Sequence, residues 1–504
     1  MSRDSKKRRL LYYNDSRHTY MYSYDPPMTL EEAWSPVDEV AGTAVGTFIY
    51  GSGAGPAVMH DSKSGEVWGR RFEKFDSAWS WRAYENVKSL IDAGYDPLNL
   101  LIDRAHDKGM DFFASLRLNH PMDPADVDNP FNWQFRMEHP EWCLTGEGKH
   151  SFNWVYPEVR AERFAYIEEY LTQYDIEGLE LEFTFCPYYF EDDEAERNAP
   201  IMTDFLRDVR RLADETAAKR GRPLEIGARI LPTQAGNLTQ GLDVAAWIQD
   251  GLLDFVAPTI YQDHQVDANL PFEWLVDLAE GTDCHVYPTL QRAVRGLDIA
   301  DNRFNPGSLE LHASIDQLRA GAASFWDRGA DGIYMLFLKW PHGPEQRTIF
   351  TEAHDPDLLR RKPKSYVVRR HDDLSAQFGY ESQLKATLEE GEGPQTVRLY
   401  LADDPTQATA TLRLRLIWST TIDRLTLHVN GNPLSLDAAR RTQLDAYLAA
   451  WLELELPSDT LVHGWNEISL SLDARPAGLG ATIVWEGVEI DIEHPTPRAS
   501  FGMP

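Results

Sequence analysis

Residues 177–184 read EGLELEFT, and this short stretch decides the fold. Successive side chains of a β-strand point to opposite faces, so Glu180, Glu182 and Thr184 share one face while the leucines and Phe183 share the other. Helices can cover the apolar face. Both glutamates then lie on the opposite face of the sheet and point into the interior of the protein. Buried carboxylates are costly unless they bind substrate, a cation or arginine, so this strand is the first candidate for a functional site.

Seven further runs of strand type accompany this stretch, and segments of helical periodicity alternate with them. The eight predicted strands cover residues 9–14, 44–50, 111–117, 178–184, 224–230, 254–260, 285–290 and 332–337. Strands that alternate with helices form a parallel sheet, and eight of them close a (β/α)8 or TIM barrel. We therefore expect an α/β fold with a catalytic (β/α)8 barrel over residues 1–350.

The pattern changes after the barrel. Residues 351–365 are charged and contain proline, which is typical of a linker. Period-two strands follow at 397–401, 411–418, 425–430, 451–456, 467–472 and 483–490, and Asn430-Gly431 marks a hairpin turn. These features predict an all-β sandwich of jelly-roll type over residues 366–504. Packing against the barrel or homo-oligomerisation is a simpler role for it than carbohydrate binding.

The composition argues against several classes of function. A formal net charge of −31 opposes binding to nucleic acid or to an anionic membrane, and no apolar stretch has the length of a membrane span.

Three widely spaced cysteines, Cys143, Cys186 and Cys284, predict buried thiols without a metal or other cofactor. The apolar run at 10–13 is too short for a signal peptide, which predicts a cytoplasmic protein; a leader removed beforehand would make it secreted or periplasmic.

Two carboxyl groups are needed to hydrolyse a glycosidic bond, one to protonate the leaving oxygen and one to attack the sugar or activate water. Catalytic residues of such barrels lie at the carboxyl ends of the strands. We expect Glu182 to be the nucleophile or base and Asp263, after the sixth strand, to be the general acid. Glu180 lies one pleat deeper, where it binds substrate hydroxyls, tunes the pKa of its neighbour or exchanges roles with Glu182. The alternative is a structural ion-pair network of the two glutamates with Arg117 and Arg229 on the neighbouring strands, and we favour the functional explanation over it.

Other polar and aromatic residues at the strand ends are candidates for binding the substrate. Arginine, asparagine and histidine offer hydrogen bonds to hydroxyl, carboxylate or sulfate groups, and aromatic rings stack against sugar rings. Several arginines at one edge also make an anionic sugar a candidate substrate. The predicted substrate-binding residues are Asp15, Arg117, Asn119, His120, Arg229, Tyr261, Gln291, Arg292 and Trp340.

The fourth strand, followed by CPYYF at 186–190, resembles the signature of family-10-like glycosyl hydrolase barrels. In that signature an acidic residue and glycine precede alternating acidic and apolar residues and an aromatic-proline element. The similarity extends to YD at 174–175 and to GLD at 241–243, with Trp247 and Asp254. Over residues 8–345 the resemblance implies a barrel that hydrolyses O-glycosyl bonds, and it does not specify the sugar.

Other glycosidase barrels match less closely. Thr184 replaces the final acid of the chitinase-like strand, which argues against a substrate-assisted mechanism. Many retaining enzymes use one glutamate from the fourth strand and one from the seventh. Here the seventh strand ends in Gln291, which argues against that pair. Barrels similar to α-galactosidases take their carboxylates from the fourth and sixth strands, which is where Glu182 and Asp263 lie.

Three functions therefore stay open. The favoured one is a glycoside hydrolase that cleaves a poly- or oligosaccharide, neutral or anionic. The second is a non-catalytic carbohydrate-binding or scaffold protein that has kept the cleft. The third is a metal-dependent sugar isomerase or lyase with Glu180, Glu182, His120 and Asp263 as ligands, and the lack of HxH or HExxH spacing ranks it last.

Overall fold

The computed structural model describes residues 6–16, 18–54, 57–260, 265–295, 310–369, 373–384, 386–443 and 449–495. Within these ranges an α/β part is followed by an antiparallel β part. The strands are β1 (Leu10–Asn14), β2 (Thr47–Gly51), β3 (Gly53–Ala54), β4 (Ala57–Val58), β5 (Glu66–Val67), β6 (Asp111–Arg117), β7 (Gly178–Glu182), β8 (Glu225–Ile230), β9 (Phe255–Pro258), β10 (His285–Val286), β11 (Thr289–Leu290), β12 (Ala293–Arg295), β13 (Glu310–His312), β14 (Ile333–Met335), β15 (Lys364–Arg369), β16 (Ala386–Leu388), β17 (Gln395–Leu401), β18 (Thr409–Ile417), β19 (Arg424–Val429), β20 (Asn432–Leu434), β21 (Arg440–Gln443), β22 (Ala449–Leu456), β23 (Gly464–Ala474) and β24 (Ile483–Glu493).

Helices join the strands of the first part. They are α1 (Leu30–Ala33), α2 (Ser35–Asp38), α3 (Ala78–Asp92), α4 (Pro97–Asp107), α5 (Gln134–Glu138), α6 (Pro157–Gln173), α7 (Ala195–Arg220), α8 (Gln234–Leu238), α9 (Val244–Gln249), α10 (Glu273–Ala279), α11 (Ile315–Asp327), α12 (Pro344–Glu352) and α13 (Pro356–Leu359), and α14 (Asp373–Gln377) lies in the second part. Over the ranges given above, no helix has both the length and the apolar character needed to cross a membrane.

Nine strands of the first part form one parallel sheet, in the order β10-β9-β8-β7-β6-β2-β1-β14-β11. They fall where the eight strands are predicted, except that the predicted seventh strand is divided into β10 and β11. Only Tyr287 and Pro288 separate these two pieces, and proline has no N–H for a sheet hydrogen bond. β10 pairs with β9 at one edge of the sheet, and β11 pairs with β14 at the other.

The two faces of this sheet have the character that the fourth strand predicts. On the outer face Phe183 packs against Trp247 of α9, with ring centroids 5.2 Å apart. On the face of Glu180 a Cβ at Gly227 would lie 2.0 Å from the Phe255 ring, so glycine is required for that ring to pack against β8. A separate apolar cluster is formed by Leu11, Tyr13, Ile49, Phe113, Phe255, Ala257, Tyr287, Tyr334 and Leu336.

The boundary between the two parts differs from the predicted linker at 351–365. α12 ends at Glu352, α13 occupies Pro356–Leu359, and β15 begins with the buried Lys364. The charges that suggest a linker form ion pairs instead, because Glu352 binds Arg319 of α11 at 2.8 Å and Lys362 at 3.1 Å. The two parts are also joined by apolar contact, since Ala320 of α11 belongs to the hydrophobic cluster of the second part.

Two antiparallel sheets make up the second part. One has the order β15-β24-β18-β22-β21 with β16 also paired to β24, and the other has the order β17-β23-β19-β20. Side chains from both sheets, such as Leu414 and Ile468, share one hydrophobic cluster. All six strands predicted here are present, and β15, β16, β20 and β21 are additional.

One segment of the second part, residues 375–384, packs on loops that follow three consecutive strands of the parallel sheet. Its Phe378 lies 5.3 Å from Tyr188, after β7, and clusters with Leu231, after β8. The hydroxyl of Tyr380 donates a hydrogen bond to Asp267, after β9. Because these loops leave the carboxyl ends of their strands, the segment borders the edge where catalytic groups are expected.

Candidate active site

Four buried charges meet at the carboxyl ends of β6, β7 and β8. The parallel register places Arg117 and Arg229 on either side of Glu182, with Glu180 one pleat below. Each of the four residues is at most 5% exposed. Opposite charges therefore alternate across three neighbouring strands, which compensates the cost of burying the carboxylates.

Both carboxylate oxygens of Glu182 accept hydrogen bonds. Oε2 accepts from Nε of Arg117 at 3.0 Å and lies 3.8 Å from a terminal nitrogen of Arg229. Oε1 accepts from the hydroxyl of Thr184 at 3.0 Å and from the backbone N–H of Phe185 at 2.5 Å. Three donors and a second cation thus stabilise the ionised form of this side chain.

Burial is the largest influence on the pKa of Glu182, and it raises that pKa. The charges of Arg229 and Arg117, with the hydrogen bonds from Arg117 and Phe185, act in the opposite direction and outweigh burial. The pKa of Glu182 therefore lies below its ordinary value. At neutral pH this residue is a carboxylate, the form that a nucleophile or a general base requires.

Glu180 is held by a different set of donors. Oε1 accepts from the hydroxyl of Ser115 at 2.7 Å and lies 3.3 Å from Arg229, and Oε2 accepts from the hydroxyl of Tyr334 at 2.5 Å. Burial raises the pKa of Glu180 and outweighs the charge of Arg229 and the two hydroxyl donors. The pKa values of the neighbouring glutamates thus shift in opposite directions, a pattern found where two carboxyl groups have different roles.

Aromatic rings hold the two arginines in place. The guanidinium carbon of Arg117 lies 3.4 Å from the centroid of the Phe185 ring, and that of Arg229 lies 4.4 Å from the centroid of Tyr13. Burial raises the pKa of Tyr13 to about 12, so its ring is a neutral phenol. A guanidinium stacked on a ring and paired with a carboxylate has little freedom to turn, and it fixes the orientation of Glu182.

A row of rings leads away from Arg117. His120 lies parallel to Phe185 on one side and to Phe131 on the other, with centroid distances of 5.4 and 6.2 Å. Phe131 contacts Trp79 of α3 at 6.1 Å. The row therefore runs from Arg117, the partner of Glu182, to the long connections that follow β6 and β2.

A small cavity adjoins Glu182 at this edge of the sheet. Gln291, one of the predicted substrate-binding residues, lines it together with Glu182 and Arg229, and Glu180 is not part of its lining. The lining residues belong to the carboxyl ends of five strands and are Glu182, Thr184, Phe185, Arg229, Thr259, Ile260, Gln291, Leu336 and Phe337. Of the two glutamates, Glu182 is the one placed to meet a ligand here.

Asn119 uses its amide within the protein. Its Nδ2 donates to the backbone oxygens of Phe152 at 2.9 Å and Tyr188 at 2.7 Å, and its Oδ1 accepts from the N–H of Phe152 at 2.9 Å. Asn119 therefore ties the loop after β6 to the loop after β7. Its contribution to the site is to hold these loops together.

The remaining described candidates lie at other strand ends. Nε1 of the half-buried Trp340 donates to Glu39 at 3.1 Å. Asp15 is buried directly after β1, and after burial its charge is the largest influence that raises the pKa of Tyr13. Arg292 is half-buried and follows β11.

The predicted general acid Asp263 and the predicted aromatic platform Tyr261 lie outside the described residues. The chain is described as far as Ile260, which lines the cavity beside Glu182. Tyr261 is thus the next residue in the sequence after a residue of the cavity, and Asp263 follows two positions later.

Among the described residues the thiols are buried and the proposed metal ligands have other partners. In the part of the chain that the structure describes, no group of three or more His, Cys, Asp or Glu side chains is arranged to hold a metal ion. Of the ligands in the isomerase or lyase hypothesis, Glu180 and Glu182 bind arginine, hydroxyl and amide donors. The three cysteines are free and buried, as expected, and burial raises the pKa of the Cys186 thiol.

The residues that hold the charged groups in place are not among those that the sequence predicts for the site. Ser115 could have been recognised, because it lies two positions before Arg117 on the same face of β6. Tyr13 and Tyr334 could not, because β1 and β14 pair across more than 300 residues of sequence. Phe185 follows β7 in a loop, where no strand periodicity assigns its ring to Arg117.

Residues 66–199 match the model of a family described as glycosyl hydrolase-like 10. The matched range contains β6, β7 and the carboxylate pair of Glu180 and Glu182. This match confirms the resemblance to family-10-like glycosyl hydrolases that the fourth strand indicates.

Two bacterial proteins are similar to part of the chain. Glycosyl hydrolase YngK of Bacillus subtilis is 24% identical over 217 residues, which cover 36% of this chain and 42% of that protein. Glycosyl hydrolase DigH of Escherichia coli is 21% identical over 238 residues, which cover 38% of this chain and 53% of that protein. The match therefore spans about half the length of these curated relatives.

Solved structures with a distant likeness are also found. The α-L-fucosidase isoenzyme 2 of Paenibacillus thiaminolyticus has a TM-score of 0.43 at 12% identity, covering 69% of this chain and 49% of that one. The GH36 α-galactosidase AgaA of Geobacillus stearothermophilus, in complex with stachyose, has a TM-score of 0.39 at 10% identity, covering 93% and 56%.

Proposed function

We propose that this chain, whose residues 66–199 match the glycosyl hydrolase-like 10 family, is a glycoside hydrolase with Glu182 as its ionised catalytic carboxylate. The observation that carries the proposal is the position of Glu182. It lines a cavity at the carboxyl ends of the strands, and the charges of Arg229 and Arg117 lower its pKa despite burial. Among the described residues, no other carboxylate of the sheet lines that cavity.

In this mechanism Glu182 attacks the anomeric carbon or takes a proton from the attacking water. Its hydrogen bonds to Thr184 and Phe185 hold one oxygen, and Arg117 stabilises the charge on the other. The general acid is Asp263, which follows the strand whose last residues line the same cavity. It protonates the leaving oxygen as the glycosidic bond breaks.

The cavity is small, about 20 Å³, so the sugar ring lies at its opening and only the atoms at the bond that is cleaved reach Glu182. Gln291 lines the cavity, and its amide carries both donor and acceptor atoms for sugar hydroxyls. Tyr261, Trp340, Asp15, His120 and Arg292 complete the binding edge in this proposal. Glu180, with no part in the cavity lining, supports Arg229 and acts on catalysis only through it.

A neutral glycan suits this site better than an anionic one. Arg117 and Arg229 are paired with Glu182 and Glu180, so the four charges balance and the site offers an anionic sugar no excess of positive charge, although both guanidinium groups keep N–H groups without a hydrogen-bond partner among the described residues.

We also infer that the parallel sheet closes into an eight-stranded (β/α) barrel and that the second part is a β-sandwich. Closure is supported by β10 and β11, which pair with opposite edge strands although only Tyr287 and Pro288 separate them. The hydrogen bonds from Tyr287 to Val256 and from Tyr334 to Pro288, 2.9 and 3.1 Å long, continue the ladder across that gap. The sandwich is supported by the hydrophobic cluster that both antiparallel sheets share.

The alternative is a non-catalytic carbohydrate-binding protein. It is favoured by the hydrogen bonds of Glu182, because its two oxygens already accept three hydrogen bonds from within the protein. In that case the four charges are a structural network, and the cavity binds a sugar without cleaving it.

An experiment on the leaving group separates the two functions and the two catalytic roles. A panel of nitrophenyl glycosides and unmodified oligosaccharides is first screened with the parent chain. Nitrophenolate leaves without a proton, so Asp263→Asn should keep activity on the nitrophenyl substrate and lose it on the oligosaccharide, whereas Glu182→Gln should lose both. Equal losses on both substrates for Asp263→Asn would contradict its role as the acid, and a parent that binds but cleaves nothing would favour the alternative.

A further inference from the structure

A second group of aromatic side chains lies at the start of α3, outside the carboxylate site. The ring of Phe75 lies 5.8 Å from Phe72 and 5.4 Å from Tyr84, and these residues line a groove with Trp81. Trp81 and Tyr84 are three residues apart on α3, so they share one side of the helix. Trp81 is 44% exposed, which is a large apolar surface to leave in contact with water.

Polar side chains of both signs surround these rings. Glu73, Lys74, Asp76 and Glu85 line the groove as well. Glu73, Lys74 and Asp76 are exposed, and none of the three has a side-chain hydrogen bond or an ion pair with another residue in the described ranges. The groove therefore combines flat apolar rings with hydrogen-bonding groups that are available to a ligand.

The groove lies on the same side of the parallel sheet as the carboxylate site. The groove lies in the connection that leaves the carboxyl end of β2, after the short strands β3 to β5, and extends onto α3. α3 packs there against residues that follow β1, since Asn86 donates to the backbone oxygen of Tyr20 at 3.1 Å.

Trp79, two residues before Trp81, is the far end of the row of rings that runs through Phe131 and His120 to Phe185. Trp79 points away from Trp81 and does not line the groove, so the row of rings reaches the helix that carries the groove but not the groove itself.

We propose that this groove is a second glycan-binding subsite, which holds a sugar unit of the substrate chain at a distance from the bond that is cleaved. Trp81 stacks against the apolar face of a pyranose ring, and the carboxylates of Glu73 and Asp76 accept hydrogen bonds from its hydroxyl groups. The inference rests on the proposed glycoside hydrolase function and adds that the substrate is a chain of several sugars.

The chemistry of the groove favours a sugar over a protein partner. A protein interface is depleted of charged residues at its core. Here unpaired Glu73, Lys74 and Asp76 lie directly beside the rings, and such groups suit a ligand that carries a hydroxyl on nearly every carbon.

Binding is measured on the full chain carrying Glu182→Gln, so that hydrolysis does not interfere. The probes are chito-, cello-, xylo- and malto-oligosaccharides, each as a disaccharide and a hexasaccharide, titrated by calorimetry. Adding Trp81→Ala should weaken the best hexasaccharide roughly three- to tenfold, because one ring–sugar contact is lost. Trp81→Phe should recover most of the affinity, since it keeps a flat ring. Trp418→Ala, an exposed tryptophan of the second part, is the matched control.

The outcomes separate this inference from the proposed function. Unchanged hexasaccharide affinity with Trp81→Ala overturns the subsite, and so does the failure of every probe to bind. If Trp81→Ala weakens binding but the parent chain cleaves none of the probes, the subsite stands and the proposed function fails. Equal weakening by Trp418→Ala would also overturn the inference, because the loss would then not be specific to the groove.

Discussion

Nε of Arg117 lies 3.0 Å from Oε2 of Glu182, and neither side chain is more than 4% exposed. A charge pair at this distance and depth is screened little by salt or solvent. It lowers the pKa of Glu182 and holds one oxygen of the proposed nucleophile or base in a fixed position. The pH dependence of activity should therefore report on this contact.

Replacing Arg117 with Gln should move the acidic limb of the pH–activity profile upward. Loss of the positive charge favours protonated Glu182, so its pKa rises and activity disappears at a higher pH as the solution is acidified. We expect a shift of about one pH unit or more in the acidic limb of kcat/KM.

Arg117→Lys is the matched control for this measurement. It keeps the positive charge but loses the planar contact with Phe185, so its shift should be smaller than that of Arg117→Gln. Identical acidic limbs for the parent and Arg117→Gln would mean that Glu182 does not titrate in the catalytic step.

Replacing Arg229 with Met should destabilise the fold. Two buried carboxylates would lose their shared cation, and breaking such a buried pair costs about 3–5 kcal/mol. The loss in free energy of unfolding should shrink as the pH falls toward the ordinary carboxyl pKa, because the uncompensated glutamates then become neutral in the folded state. Urea unfolding at neutral and acidic pH measures both effects.

Arg398→Met is the control, because Arg398 is exposed and should change stability by no more than about 0.5 kcal/mol. A similarly small, pH-independent effect of Arg229→Met would show that the carboxylates are compensated by other groups.

Trypsin cleavage at the exposed Arg360 or Arg361 should not release a separate second part. Ala320 and Phe378 join the two parts through apolar contacts, so the nicked fragments should elute together in gel filtration without denaturant. Phe378→Ala, which removes a buried ring beside Leu231, should lower the urea concentration at which they separate. Native fragments that elute apart would restore the prediction of an independent domain.

The salt dependence of substrate binding tests the preference for a neutral glycan. Since Arg117 and Arg229 are paired within the protein, raising the ionic strength should leave the KM for the best substrate nearly unchanged. A steep rise in KM with salt would contradict this preference and indicate an anionic substrate.

Local patterns in the sequence were enough to predict the parallel strands and the inward face of β7. The alternation in residues 177–184 places Glu180 and Glu182 correctly, and the same rule places Arg117 and Arg229 on the neighbouring strands. These predictions succeed because strand periodicity and parallel order depend on short stretches of sequence.

Contacts between distant segments could not be predicted in this way. Tyr334 reaches Glu180 across 154 positions of sequence, and no local pattern indicates that pairing. Asn119 is a polar residue close to a strand end, which is typical of a binding residue, but its amide holds two loops together. The charges at 351–365 have the composition of a linker, yet Glu352 and Lys362 form an ion pair beside α11.

The most direct test of the central claim compares hydrolysis and stability in Glu182→Gln. With an oligosaccharide that the parent chain cleaves, kcat/KM should fall by about 10²- to 10⁴-fold, while Glu180→Gln should lose much less. Circular dichroism and urea unfolding of both variants establish that each is folded under the assay conditions. A folded Glu182→Gln variant that cleaves the same glycan at the parental rate would contradict the account, and the catalytic pair would then have to be sought between Glu180 and Asp15.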